Sequence, residues 1–306
     1  MIDVDIKIDK VKRLKEERDA VILAHYYVED DVQRIADYVG DSYYLSKIAA
    51  ETDHKTILFC GVSFMAESAK ILSPDKTVLI PDFNAHCPMA SMASKDSIMG
   101  MKSRFDDLAV VCYINSTVEI KSLSDVCVTS SNAVNIVKNL PNKNIYFIPD
   151  GNLGRFVAEQ VPEKNIILND GYCHVHTNIT IDDINKAKGT YPEALVLVHP
   201  ECNDDLVAIG DYVGSTSGII DFARESSAKD FIICTEVGIL YKLKENCPDK
   251  NFHFPNDQQI CPDMKLITLD KVINSLEKTE TNVEVDKSII NKAKMALEKM
   301  HELAYN

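Results

Sequence analysis

Tryptophan is absent from the 306 residues, so near-ultraviolet absorbance is weak and a coloured prosthetic group would stand out against it. No apolar run approaches the roughly twenty residues that a membrane-spanning helix needs. No basic run exceeds two residues, and Asp and Glu outnumber Lys and Arg by 47 to 33, a formal net charge of −14. Nucleic acid and anionic membrane surfaces both require a cationic face, so neither is an expected partner. The opening MIDVDIKIDK is charged throughout and lacks the apolar stretch of a secretory signal. Nine cysteines, an odd count, occur with no local metal-binding spacing. That usage fits a reducing cytoplasm, where thiols are buried, catalytic or metal-bound, and the expected location is cytoplasmic. Low-complexity segments and flexible tethers are also missing. What remains is an ordinary globular composition, 45% hydrophobic and 26% charged, long enough for two or three domains.

Laid over itself, the chain shows three copies of one unit. Apolar runs ending at His25, Tyr113 and His199 open them. Twelve positions on stand Asp37, Asp125 and Asp211; seventeen on stand Ser42, Ser130 and Thr216. Thirty-two on, a second apolar run begins at Ile57, Ile145 and Phe231. Each unit then reaches a cysteine: Cys87, Cys173 and Cys261, spaced by 86 and 88 residues. Landmarks in register argue for internal triplication, with each unit delivering one thiol to a shared centre.

The opening runs are branched and continuous, as in strands buried on both faces. In the first unit a helix follows, with Asp30 or Asp31 at its start and Gly40 at its end. Strands alternating with helices predict an α/β fold: three similar αβα three-layer domains with parallel sheets. The divisions fall at 1–105, 106–190 and 191–306, with polar linkers at 91–107 and 177–193, the second carrying a helix over 181–188. A weak stripe of Ile6, Val11 and Leu14 marks an N-terminal helix. A cleaner stripe of Ile289, Ala293, Ala296, Leu297, Met300 and Leu303 marks a C-terminal one.

In parallel sheets, ligands sit beyond the carboxyl ends of the strands. The first strand of each unit aims a pair of polar residues there: His25 with Tyr27, Tyr113 with Asn115, and His199 with Glu201. One such pair is ordinary; three at the same place in three repeats point to a site. Ser42, Ser130 and Thr216 (with Ser215 before the last) fall where helices begin. As N-caps they would be purely local. As hydroxyls at three helix N-termini facing one cavity, they would let an acidic protein hold an anionic substrate. Of the strand-end residues only Glu201 is an effective base near neutral pH without a large shift.

Cys60 and Cys234 have Ile148 as their counterpart in the middle unit, so both read as core residues. Cys87, Cys173 and Cys261 recur in all three units, and a proline after the first and third favours extended backbone there. Three thiolates suit a zinc site or an iron–sulfur cluster. A four-iron cluster held by three cysteines keeps one iron open as a Lewis acid, suited to expelling water.

The segments AHYYVEDDVQ, ADYVGDS, FCGVSFMAE, CPMA, YINS, VTSSNA, PDGNLG, HPEC, YVGSTSG and TEVGI resemble the quinolinate synthase family along essentially the whole chain. The resemblance implies three αβα domains around a pseudo-threefold axis with the active site and one [4Fe-4S] cluster at the centre. It implies condensation of iminoaspartate with dihydroxyacetone phosphate to quinolinate, a step of NAD biosynthesis. It also implies functional coupling to an iminoaspartate-producing L-aspartate oxidase or dehydrogenase. Cys87, Cys173 and Cys261 match its cluster ligands. His25, Ser42, Tyr113, Asn115, Ser130, His199, Glu201 and Thr216 match residues around the substrate. Tyr27 matches a tyrosine of the later proton transfers, Glu201 a general base, and His176 a histidine lining the cavity. Cys261 is followed by PDMK, without the CxxCxxC run of some members. Two other readings of the same residues are a thiolate-zinc hydrolase and a metal-free binder of a small anion.

Overall fold

The computed structural model describes residues 2–304. The first unit supplies β1 (Ala20–His25), β2 (Tyr38–Gly40), β3 (Thr56–Cys60) and β4 (Thr77–Leu79). The second supplies β5 (Leu108–Tyr113), β6 (Val126–Val128), β7 (Asn144–Ile148) and β8 (Asn165–Leu168). The third supplies β9 (Leu195–Val198), β10 (Tyr212–Val213), β11 (Asp230–Cys234) and β12 (Asn251–His253). The three sheets have the same order, β2-β1-β3-β4, β6-β5-β7-β8 and β10-β9-β11-β12, and every pairing is parallel. With helices flanking each sheet, the expected α/β class and its three αβα layers are observed. Every residue of β1 and β3 is buried, which accounts for their lack of polar alternation.

Two devices recur in all three units and hold this geometry. Asp37, Asp125 and Asp211 each accept the backbone N–H of Ile22, Val110 or Val196, at 2.9, 2.7 and 2.8 Å. Their own N–H groups return a bond to the same residues' carbonyls. The carboxylate thus grips the middle of the first strand and starts the edge strand beside it, so the repeated aspartate is structural. The second device is a lysine fifty-one positions on from each opening strand. Lys76, Lys164 and Lys250 donate to carbonyls at the C-terminal ends of helices Ser42–Glu51, Ala133–Asn139 and Thr216–Glu225. Those carbonyls lack intrahelical partners and carry the negative end of the helix dipole.

Several elements differ from expectation. Gly40 ends β2 and does not cap a helix; the preceding helix spans Asp30–Ile35, with Glu29 at its N-cap. Edge strands of two or three residues are too short to show a period. The stretch 91–107 contains helix Lys95–Arg104, closed by a capping box of Ser94 and Ser97. Ile6 faces solvent, and the N-terminal helix buries Ile8, Val11 and Leu14 instead. The helix expected at 181–188 is present as Ile181–Thr190.

The C-terminal helix Ile290–Leu303 buries Ala293, Ala296, Leu297 and Met300. It lies against helices Ser63–Leu72 and Val118–Ser122 and against β6. One apolar core runs through the first two units and these closing helices. The third unit has its own small cores, one on each face of its sheet. Many of its links to the rest are polar: Gln33 Nε2 to Gly238 O at 3.0 Å, Ser217 Oγ to Asp41 Oδ2 at 2.6 Å, and Lys265 Nζ to Tyr27 O at 2.7 Å.

Candidate active site

The opening strands of the three sheets end at one cavity. Its walls carry His25, Tyr27, Ser42, Cys87, Tyr113, Asn115, Ser130, Cys173, His176, His199, Glu201, Thr216 and Cys261. Of the residues selected from the sequence, Ser215 alone does not line it. Its hydroxyl accepts the N–H of Gly218 at 3.2 Å and caps helix Thr216–Glu225.

That cap settles what the repeated hydroxyls do locally. Asp41 caps helix Ser42–Glu51 through Tyr44 N, as Ser215 caps the third-unit helix. Ser42 and Thr216 are therefore the first helical residues, and their side chains are not the caps. Ser130 stands three residues before helix Ala133–Asn139. The N-cap reading thus fails at all three positions, one step out of register at Ser42 and Thr216. Asp41 also accepts from Ser217, tying the first- and third-unit helix starts together across the cavity.

His25 and His199 repeat one pose. Nδ1 of each accepts the backbone N–H two residues on, from Tyr27 at 3.2 Å and Glu201 at 3.3 Å. This turns the strand end and assigns the ring proton to Nε2. Burial pushes both imidazoles down to about 3, so both are neutral donors at neutral pH. Asn115 Oδ1 is buried on the cavity wall without a protein partner.

A hydrogen-bonded line joins the three units. Thr216 Oγ1 meets Tyr27 Oη at 2.8 Å, Tyr27 Oη meets Thr235 Oγ1 at 2.7 Å, and Thr235 Oγ1 meets His176 Nε2 at 2.9 Å. His176 Nδ1 lies 2.9 Å from Glu201 Oε2, off the line of a hydrogen bond. Asn152 Nδ2 holds the Glu201 carbonyl at 3.1 Å. Burial alone would raise the Glu201 carboxyl, but His176, His199 and the Tyr113 hydroxyl bring it down to about 2. The carboxylate is therefore an anion throughout the neutral range. Burial holds the Tyr27 and Tyr113 hydroxyls well above the ordinary phenol range, so both remain protonated. Hydroxyl, imidazole and carboxylate in this sequence can pass a proton and hold the resulting charge. Thr235 is fully buried and was not foreseen. Its repeat counterparts are Gly61 and Pro149, so triplication gives no signal there.

The three recurring cysteines are free thiols on the cavity wall. Cys60 and Cys234, by contrast, are fully buried in β3 and β11. Burial, with neighbouring Cys261, pushes Cys87 up to about 12; burial also takes Cys261 up to about 11 and Cys173 well above the ordinary thiol range. Burial outweighs the backbone N–H groups that favour each thiolate, so the thiols stay protonated near neutral pH and lose their protons readily only to a bound cation. The donor set fits a thiophilic metal group.

The buried histidines carry an acid-stability prediction. Each binds a proton near pH 6.5 when unfolded but only near 3 when folded, so stability is present above 6.5 and falls as pH drops toward 3. Between pH 7 and pH 5 each costs about 2 kcal/mol. Urea denaturation of metal-free protein at both pH values should show the loss, and His25→Gln should remove about half of it. An unchanged midpoint at pH 5 would refute the buried neutral assignment.

Parallel sheets whose strands converge on one enclosed cavity with thiols, imidazoles and a buried carboxylate define an α/β enzyme with its site between three units. The chain belongs to the quinolinate synthase family: the family described as "NadA: Quinolinate synthetase A protein" matches residues 9–302. It is 51% identical over 302 residues to the quinolinate synthase of Caldicellulosiruptor bescii, covering 99% of this chain and 100% of that one. The quinolinate synthase of Caldicellulosiruptor saccharolyticus is 52% identical over 301 residues, covering 97% and 99%. That of Clostridioides difficile is 51% identical over 295 residues, covering 96% and 97%. Among the described residues no helix is long and apolar enough to cross a membrane.

Proposed function

We propose that the protein condenses iminoaspartate with dihydroxyacetone phosphate to quinolinate, releasing phosphate and two waters, in the de novo synthesis of NAD. The observation that carries this is the convergence of strand ends, helix-start hydroxyls and one free thiol from every unit on a single cavity. Cys87, Cys173 and Cys261 would hold a [4Fe-4S] cluster, whose iron without a protein ligand supplies Lewis acidity to a substrate oxygen. Both substrates are anions. The first turns of helices Ser42–Glu51 and Thr216–Glu225 offer free N–H groups and the hydroxyls of Ser42 and Thr216. Ser130 and Asn115 add polar contacts from the second unit. Neutral His25 and His199 donate from Nε2 to carboxylate or carbonyl oxygens. Tyr27 and Tyr113, protonated phenols, deliver protons to departing oxygen. Glu201, with His176 beside it, accepts the proton removed from carbon or nitrogen. Iminoaspartate is unstable in water, which fits supply by an L-aspartate oxidase or dehydrogenase in the same cytoplasm.

The direct test is anaerobic assay of the cluster-loaded protein with both substrates. Quinolinate and phosphate should appear in equal amounts; no quinolinate from protein with an intact cluster would end the proposal. Thr216→Ala probes the anion site. Its loss should remove about 1.5–3 kcal/mol of contact with a charged ligand, raising KM on the order of tenfold or more. The helix cap stays in place because it is Ser215, so the melting temperature should fall only by the loss of the bond to Tyr27, about 1 kcal/mol. A lower melting temperature with unchanged KM would make Thr216 merely structural.

A further inference from the structure

One ring nitrogen of His176 is buried with Glu201 beside it but without an aligned hydrogen bond. The side chain is 2% exposed, and this nitrogen is Nδ1, 2.9 Å from Glu201 Oε2. The other ring nitrogen is committed to Thr235 Oγ1 at 2.9 Å. In the tautomer that donates Nε2–H to Thr235, one of the two this contact allows, the ring presents a bare Nδ1, the arrangement of a metal-binding histidine. Around it stand two more metal-binding groups. Cys173 Sγ, a His176 ring nitrogen and a Glu201 carboxylate oxygen all lie within 4.8 Å of one another. Two ligand atoms on one tetrahedral zinc stand roughly 3.3–3.8 Å apart, within side-chain adjustment of that spacing. Cys173 and His176 share one turn of chain, and Glu201 reaches them from the end of β9.

We propose that Cys173, His176 and Glu201 form a site for one divalent ion of the zinc class, with its fourth position open to water in the cavity. Sulfur, nitrogen and carboxylate donors suit zinc or cobalt(II); magnesium and calcium take oxygen ligands. Binding releases the Cys173 proton to solvent and needs no other reactant. The ion site stands without any cluster. Its consequence, that zinc and cluster exclude each other through Cys173, rests on the cluster assignment proposed above. Protein that has lost its iron would then be held in an inactive zinc form.

Chelator-treated, cluster-free protein titrated with cobalt(II) tests this. One equivalent should give a thiolate-to-cobalt charge-transfer band and the strong visible bands of tetrahedral cobalt, both removed by zinc. Cys173→Ser should abolish the charge-transfer band. Glu201→Gln and His176→Gln should weaken cobalt binding at least tenfold, and Thr235→Val about tenfold. Cys87→Ser and Cys261→Ser should leave affinity within about threefold. Thermal melts show that each variant folds, and Cys173→Ser, nearly isosteric, carries the test if the histidine variant does not. A band that survives in Cys173→Ser but disappears with Cys87→Ser or Cys261→Ser overturns the site in favour of an all-thiolate one. Non-stoichiometric cobalt uptake overturns it outright. One equivalent of zinc should block cluster assembly until chelator is added; a full cluster formed with zinc retained would sink the exclusion alone. Failure to make quinolinate touches none of these readouts.

Discussion

On the proposed cluster and reaction, single replacement of Cys87, Cys173 or Cys261 by alanine is expected to leave a folded, colourless protein with no quinolinate-forming activity. Each thiol comes from a different unit and faces the same cavity, so no neighbour can substitute for the one removed. Two thiolates hold a cubane far less well than three, and the missing ligand also changes the charge that balances its iron. The contrast is Cys60→Val. Cys60 is fully buried in β3, and a similar-sized apolar replacement should keep iron, sulfide and colour at parent levels. Iron and sulfide analysis with visible spectra decides the matter. Iron lost from Cys60→Val but retained by Cys87→Ala would reverse the assignment.

Glu201→Gln should keep the cluster and substrate affinity while turnover falls by about 10²–10⁴, the range for removal of a general base. The carboxylate is 3% exposed and stays ionised through contact with His176 and Tyr113. The amide preserves shape and one acceptor oxygen. It can neither take up a proton nor stabilise positive charge on the adjacent imidazole. A condensed product that still holds its waters should then accumulate and be visible by rapid quench. Turnover within a few-fold of the parent would reduce Glu201 to a positioning residue.

The triplication made the scaffold and most of the cavity wall readable in advance, because it repeats what all units need: a strand, a turning polar pair and a cysteine. It also misled. Ser42 and Thr216 looked like caps because helix starts cannot be fixed to one residue from pattern; Asp41 and Ser215 hold those places. The repeat gives no signal for residues that occur once: His176 is legible only through the family resemblance, and Thr235 not at all. Thr235 joins Tyr27 to His176, but its counterparts are glycine and proline. Lys76, Lys164 and Lys250 failed for the opposite reason. They do repeat, but a lysine near a turn looks like a solvated side chain until the carbonyls beneath it are known.

The uneven distribution of apolar packing has a mechanical consequence. The first two units share one continuous core with the C-terminal helix, while the third has its own. Its bonds to the others include those of Gln33, Asp41, Asn152 and Lys265 beside those of Tyr27 and His176 to Thr235, and water can replace such polar partners when they part. A seam of that kind opens at lower cost than one sealed by shared side-chain packing. The seam between the third unit and the other two is therefore largely polar, with Tyr26 as an apolar contact across it. Tyr27 lies on the first-unit side of the seam, its bonding partners Thr216 and Thr235 on the third-unit side. The proton path therefore crosses this seam twice at Tyr27 and is intact only while the third unit is docked on the first.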